Sequence, residues 1–345
     1  MDWQAIARRF RTPCGAVIFM LIACGWPCSP RVMAEELAAE LKGVPFQIVF
    51  ETYRDGNWEL FKVNADGSQP TNLTRTPKIH ETYPHVSPDG TKVSFVVDEE
   101  DAGRKIRNVY IMNLDGSGRR LVATNAREPF WNPAGTAVVY AKGESEKFSL
   151  QDYVTRGIFV FDLAAGSETE HPNRQIHHLY NICSTPDGKW YVSTVHAGMG
   201  YGHAILALEA NSNRVVNLKI PGCRPDVSPD GKKVAWGADD YTLRVGDLDF
   251  TGPEPKVIHQ RDVVKSQKPI ETYHVDWSPD GKYVAFSRGP THKHLGPAPE
   301  MVGVEAEGWD LCVADAAATN RWVAITTDGK SNKEPDWVPV PKEKP

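Results

Sequence analysis

The stretch Val86-Ser87-Pro88-Asp89-Gly90 decides the fold, because it returns as Asn132-Pro133-Ala134-Gly135, Thr185-Pro186-Asp187-Gly188, Ser228-Pro229-Asp230-Gly231 and Ser278-Pro279-Asp280-Gly281, each followed by an alternating apolar run. Proline presets the first turn position, aspartate hydrogen-bonds its own backbone and glycine accepts positive φ, so each copy predicts a tight turn between antiparallel strands. The prolines are spaced by 45 (88 to 133), 53 (133 to 186), 43 (186 to 229) and 50 (229 to 279) residues. That is the length of a four-stranded unit in a repeat array, and it predicts an all-β, six-bladed β-propeller. Blades two to six are expected near 83–125, 128–175, 178–221, 223–265 and 273–330. The first blade is composite. Strands Gln47–Glu51 and Trp58–Val63 have no turn of this type before them, and Glu334-Pro335-Asp336-Trp337-Val338-Pro339 supplies the missing approach, so N- and C-terminal strands close the ring. Trp131, Trp277 and Trp337 stand two residues before equivalent prolines, a position for rings packed between blades.

The chain has 345 residues, a net charge of −5 and no basic run beyond Arg8, Arg9 and Arg11. Nucleic acid is excluded as an expected partner, since phosphate neutralisation needs clustered Lys and Arg. Those arginines precede the apolar run Cys14–Ala23, too short to span a bilayer easily, and the pattern predicts a secretory signal. Cleavage is expected either after Val32-Met33-Ala34, giving a signal over 1–34, or at Leu21-Ile22-Ala23-Cys24, giving a lipoprotein signal over 1–23 with Cys24 lipidated. Residues 35–45 then form a helical or disordered tether, 46–340 the propeller and 341–345 a tail. The expected location is periplasmic or cell-envelope associated, with membrane contact only through that lipid anchor. Cys183, Cys223 and Cys312 alone remain in the body, and no disulfide is expected between Cys183 and Cys223, which differ in strand register.

The repeat of an aromatic or apolar residue, Ser-Pro-Asp-Gly and an alternating strand resembles the propeller repeats of the TolB family over nearly all of 46–339. The same blades occur in prolyl-oligopeptidase-type peptidases and in oligogalacturonate lyases. The ring, its loops and the lack of a complete catalytic motif in the sequence point to a propeller that binds a protein, peptide or glycan. It departs from TolB in having about ten residues between signal and first strand where that family carries an α/β domain. The Gly-x-Ser-x-Gly nucleophile turn that the peptidases need is missing from the sequence.

The short, uniform turns mark one end of the ring as structural, and the long loops 98–106, 142–155, 196–203 and 288–308 mark the other as functional. Five residues before each turn proline stand Tyr83, Glu128, Asn181, Arg224, His274 and Glu334, expected where the inner strands enter the channel. With His85, His178, His196 and His203 they form the predicted ligand-binding mouth. Three residues before the prolines stand His85, Phe130, Cys183, Asp226, Asp276 and Asp336; the three aspartates either meet a cation or cap neighbouring amides. In the insertion, His292 and His294 project the same way from an extended segment and form a candidate site for a divalent metal ion, with His274, Glu300 or an acid from the channel completing the shell. That His-x-His pair is also what resembles the oligogalacturonate lyases. The reading is therefore an exported, noncatalytic binding propeller, with a metal-dependent lyase acting on uronate-containing oligosaccharides as the alternative. In the alternative, His196, His203 or His178 is the base and Arg224 or the metal the electrostatic partner.

Overall fold

The computed structural model describes residues 29–147, 153–291 and 299–340. Six four-stranded antiparallel sheets are arranged as blades. The innermost strands are His80–Val86, Ala126–Trp131, Leu179–Ser184, Cys223–Val227, Ile270–Trp277 and Ser331–Val338. The last of these pairs with Gln47–Arg54 (Gln47 opposite Val338, Ile48 opposite Trp337), so one blade is built from both ends of the chain as its sequence implies. Each innermost strand pairs on one side and turns its other edge to the channel, and the composite pairing gives the first blade its full four strands.

The repeated turns owe their uniformity to side chains that bond their own backbone. In the first copy the Gly90 amide donates to the Ser87 carbonyl at 2.8 Å, the Thr91 amide to Asp89 Oδ1 at 3.0 Å and the Lys92 amide to Ser87 Oγ at 2.9 Å. Where the third blade lacks Ser and Asp, Asn132 Oδ1 accepts from both Thr136 and Ala137 at 2.9 Å, which explains why Asn-Pro-Ala-Gly serves there. Gly90 has φ +69°, and a Cβ on it would lie 2.2 Å from the Pro339 carbonyl oxygen, so the close approach of the closing strand needs glycine.

The blades bury their alternating residues against each other. Trp131, Trp277 and Trp337 are all buried, and two of the indoles reach back one blade: Trp131 Nε1 donates to the His85 carbonyl at 2.9 Å and Trp277 Nε1 to the Asp226 carbonyl at 3.2 Å. Residues Pro30–Leu41 form a helix with Ser29 as its N-cap and Pro30 at its first position. Leu37 and Leu41 are fully buried in a cluster with Ile48, Phe50 and Trp337, so the segment read as a tether is a packed part of the fold. No described helix is long and apolar enough to cross a membrane. The signal region 1–28 with Cys24, the pair His292 and His294, and the tail 341–345 lie outside the described residues.

Candidate functional site

One backbone irregularity recurs in every inner strand and organises the channel. The residue five before each turn proline adopts a left-handed conformation: Tyr83 (φ 54°), Glu128 (53°), Asn181 (49°), Arg224 (56°), His274 (58°) and Glu334 (49°). At each, the pairing register with the second strand slips, as between Thr82 and His85 or between Tyr273 and Asp276. This is a β-bulge, which re-aims a side chain at the cost of local strain. Six such side chains therefore turn together into the channel.

They bond to each other rather than to solvent. Tyr83 Oη donates to Glu128 Oε2 at 2.7 Å, Asn181 Nδ2 donates to Tyr83 Oη at 2.9 Å, and the Asn181 amide donates to Glu128 Oε2. Across the channel Glu334 Oε1 sits 3.2 Å from Arg224 Nη1 and 3.0 Å from His274 Nε2. The bulge amides are also satisfied: Tyr83 N by Glu51 Oε2 at 2.9 Å and Arg224 N by Thr194 Oγ1 at 2.8 Å. The result is a closed polar barrier across the ring.

On the loop side, residues 299–304 of the long insertion lie over this barrier as a plug. Lys333, fully buried, donates to the carbonyls of Pro299 (3.2 Å), Met301 (2.5 Å) and Val304 (2.8 Å). Arg107 Nη2 holds the Val302 carbonyl at 3.0 Å, and His274 Nε2 lies 2.6 Å from the Glu300 carbonyl. The six residues expected at a mouth are thus in mid-channel under the plug. The insertion supplies the backbone carbonyls that cover them.

Beside the plug, between blades four and five, a recess of about 360 Å³ is lined by Tyr153, Tyr180, Tyr273, His196, His203 and Glu300. His196 and His203 face each other across the hairpin Trp190–Gly198/Tyr201–Glu209, with their Nδ1 atoms 3.4 Å apart. Burial, aided by the neighbouring His196, holds His203 below its ordinary pKa, and its Nε2 meets the Gly222 carbonyl at 3.0 Å. Tyr153 packs on His196 with ring centroids 4.6 Å apart. Cys223, on the wall, is pushed up to about 11 by burial, so it is a thiol at neutral pH and no activated nucleophile. His178 stands apart from this recess, 2.7 Å from Glu144.

On the turn side of the barrier lies a second cavity, of about 190 Å³, with exposed Pro88 at its rim and His85, Cys183, Asp226, Asp276 and Asp336 on its wall. His85 belongs here because the bulge at Tyr83 sets the two residues on different levels of the channel. Each aspartate caps the next blade: Asp226 Oδ2 accepts from Trp277 N at 2.9 Å, Asp276 Oδ2 from Trp337 N at 2.8 Å and Asp336 Oδ1 from Val86 N at 2.9 Å. The second oxygen of Asp336 meets His85 Nδ1 at 2.8 Å. Burial opposes protonation of His85, but Asp336 outweighs it and raises the imidazole above its ordinary value. Asp226 and Asp276 are in hydrogen-bond contact; burial and the like charge of Asp336 push Asp226 up to about 7 and Asp276 well above the carboxylate range. The turn end, expected from short loops to be purely structural, therefore holds the accessible part of the channel.

Of the candidate metal set, His274 has its Nε2 engaged and is held far below its ordinary pKa by burial and by Arg224 and Lys333. Among the described residues no three His, Cys, Asp or Glu side chains converge to hold a metal ion. What sequence reasoning missed is the barrier's coverage: Lys333, Arg107 and Glu51 carry it, and of these only Glu51, after Ile48-Val49-Phe50, stands out as a charge in an apolar run.

No protein-family model matches this chain, and no curated protein matches it. Solved structures do. TolB from Acinetobacter baumannii superposes with a TM-score of 0.61 at 18% identity, over 89% of this chain and 71% of that one. A chain of a nidogen/laminin complex matches with a TM-score of 0.57 at 9% identity, over 86% of this chain and 100% of the other. Kuenenia stuttgartiensis hydrazine synthase matches with a TM-score of 0.55 at 12% identity, over 89% and 48%. The fold is a TolB-like six-bladed propeller, and at these identities the likeness extends to the fold alone.

Proposed function

We propose that this chain is an exported binding propeller whose loop-rich face takes a peptide segment of a protein partner in the recess between blades four and five. The observation that carries the reading is the recess itself: three tyrosines and two imidazoles line it, beside the plug over the channel. Tyrosine offers large rigid contact area with a polar tip, and His203, kept neutral by burial, presents its ring without a charge to desolvate. The raised thiol of Cys223 supports binding rather than nucleophilic chemistry there.

Export rests on the N-terminal sequence pattern. The packed helix favours processing that leaves residues 29–41 whole, which the Cys24 route does and cleavage after Ala34 does not, because the latter removes the Ser29 cap and the first helical turn.

The test is a binding screen of the purified chain against immobilised peptide and glycan libraries, repeated with Tyr153→Ala and His196→Ala. Peptide hits weakened at least tenfold by both variants support the reading. Hits confined to glycans replace the ligand class, and hits insensitive to both variants remove the recess as the site.

A further inference from the structure

The turn-side cavity contains two carboxyls with no cation in contact. Arg224 is engaged by Glu334, and His85 by Asp336; among the described residues Asp226 and Asp276 contact each other and the amides they cap, with the Val227 amide also on Asp226. Two further acceptors point to a missing ligand. His274 is buried, and its Nε2 lies against two acceptors, the Glu300 carbonyl and Glu334, so that nitrogen carries the hydrogen and Nδ1 is a bare lone pair. That Nδ1 is buried without a partner. Asn181 uses its amide nitrogen on Tyr83, and its Oδ1 is likewise buried without one. Both residues line the cavity with the carboxyls. A buried acceptor left unpaired costs roughly 1–3 kcal/mol, so a site collecting several is built for something that donates.

We propose that this cavity is a receptor for one ammonium or guanidinium group carried on a slim aliphatic stem. Charge comes from Asp226 and Asp276, and direction from the acceptors of His274 and Asn181 at the cavity floor. An organic cation fits better than a metal ion, since no three ligating side chains among those described converge on one point. The volume of about 190 Å³ is below the roughly 300–1,000 Å³ of pockets for drug-sized ligands, and it suits a single side chain or a linear diamine. The groups facing the carboxyl pair are Asp336 and His85 on one side, Cys183 on the other, and Glu334 and Arg224 above, with Glu128 acting on His85. Without a cation the pair retains a proton at neutral pH, because burial and Asp336 raise both acids. An arriving ammonium takes the place of that proton, which passes to the buffer. Binding is therefore coupled to proton release.

Two sources share this chemistry: a free polyamine, or a Lys or Arg side chain of a protein. Titration calorimetry of the full chain at pH 7 with spermidine, putrescine, Nα-acetyl-lysine amide and Nα-acetyl-arginine amide separates them, run in two buffers of different ionisation enthalpy. The expected result is saturable binding of one class with about one proton released per ligand. It should weaken at least tenfold in Asp226→Asn/Asp276→Asn, whose amide oxygens can still cap Trp277 and Trp337, and be unchanged in Tyr153→Ala. Preference for the free amines identifies a polyamine, and preference for the blocked amino acids a protein side chain; both support the site. No binding by either class, binding without proton release, or a less than twofold effect in a double variant that melts cooperatively overturns it. Proton release is read on the unsubstituted chain, so a double variant that fails to fold leaves the test decisive.

Discussion

Lys333→Met should uncouple the plug from the ring. The Lys333 ammonium is fully buried, donates to three plug carbonyls and lies 3.9 Å from Glu51 Oε1, itself fully buried and accepting from Tyr83 N and Gly303 N. Burial lowers the pKa of Lys333 and raises that of Glu51, so each charge is tolerated because the other is there. Methionine fills a similar volume but removes the cation that most favours the buried Glu51 carboxylate, leaving Arg107, and takes a donor from three carbonyls, of which Met301 keeps the Val304 amide. Breaking a buried pair from one side costs about 3–5 kcal/mol. At about 2 °C per kcal/mol for a domain of this size, Tm should fall by about 6–10 °C. Adding Glu51→Gln removes the stranded charge and keeps one acceptor oxygen, so the double variant should recover at least about 1 kcal/mol relative to Lys333→Met alone. The assay is urea unfolding followed by tryptophan fluorescence, with limited proteolysis reporting whether 299–304 becomes cleavable in the native state. A loss under about 1 kcal/mol in Lys333→Met, or a double variant as unstable as the sum of the singles, would refute the argument.

The acid pair predicts a pH dependence whose sign follows from linkage: Asp226 is pushed up to about 7 in the folded chain, whereas the unfolded chain releases its proton near the ordinary aspartate value of 3.8. The folded state thus holds more protons across that window, and the stability this contributes is full below it and lost as pH rises through it. Asp226→Asn should flatten this part of the profile, read as the variant-minus-wild-type difference in urea midpoint between pH 4 and 7.5; parallel profiles would contradict the assignment. At the bulge, Asn181 sits at φ 49°, so Asn181→Gly should keep the backbone while Asn181→Val should cost about 1–2 kcal/mol in the same unfolding assay, since β-branched side chains resist the left-handed region. Intact-mass measurement of the mature chain should place its N-terminus at or before Ser29, and Leu41→Ala should destabilise it by about 2–5 kcal/mol through the cavity left beneath the helix.

Much of the fold is legible in the sequence because its determinants are local. Proline, aspartate and glycine act within four residues, the alternation of each strand acts within ten, and the period of the turns counts the blades. The closing strand was readable too, since Glu334–Pro339 repeats the approach to the other turns, and the aspartates three before the prolines were readable as amide caps, one of two roles open to them. The six polar residues five before the prolines were visible as a set, but their place was not. Spacing cannot reveal that each adopts a positive φ, nor that Tyr83 meets Glu128, 45 residues on, or that Arg224 meets Glu334, 110 residues on. Loop length pointed to the wrong end for an open channel because the longest insertion folds back as its plug, an outcome settled by Lys333 from a different strand. Turn chemistry and periodicity are properties of contiguous residues and survive in the sequence. Which end of a ring is open, and which acids are left without a cation, depend on side chains brought together only when six blades close, and on burial that exists only once they have.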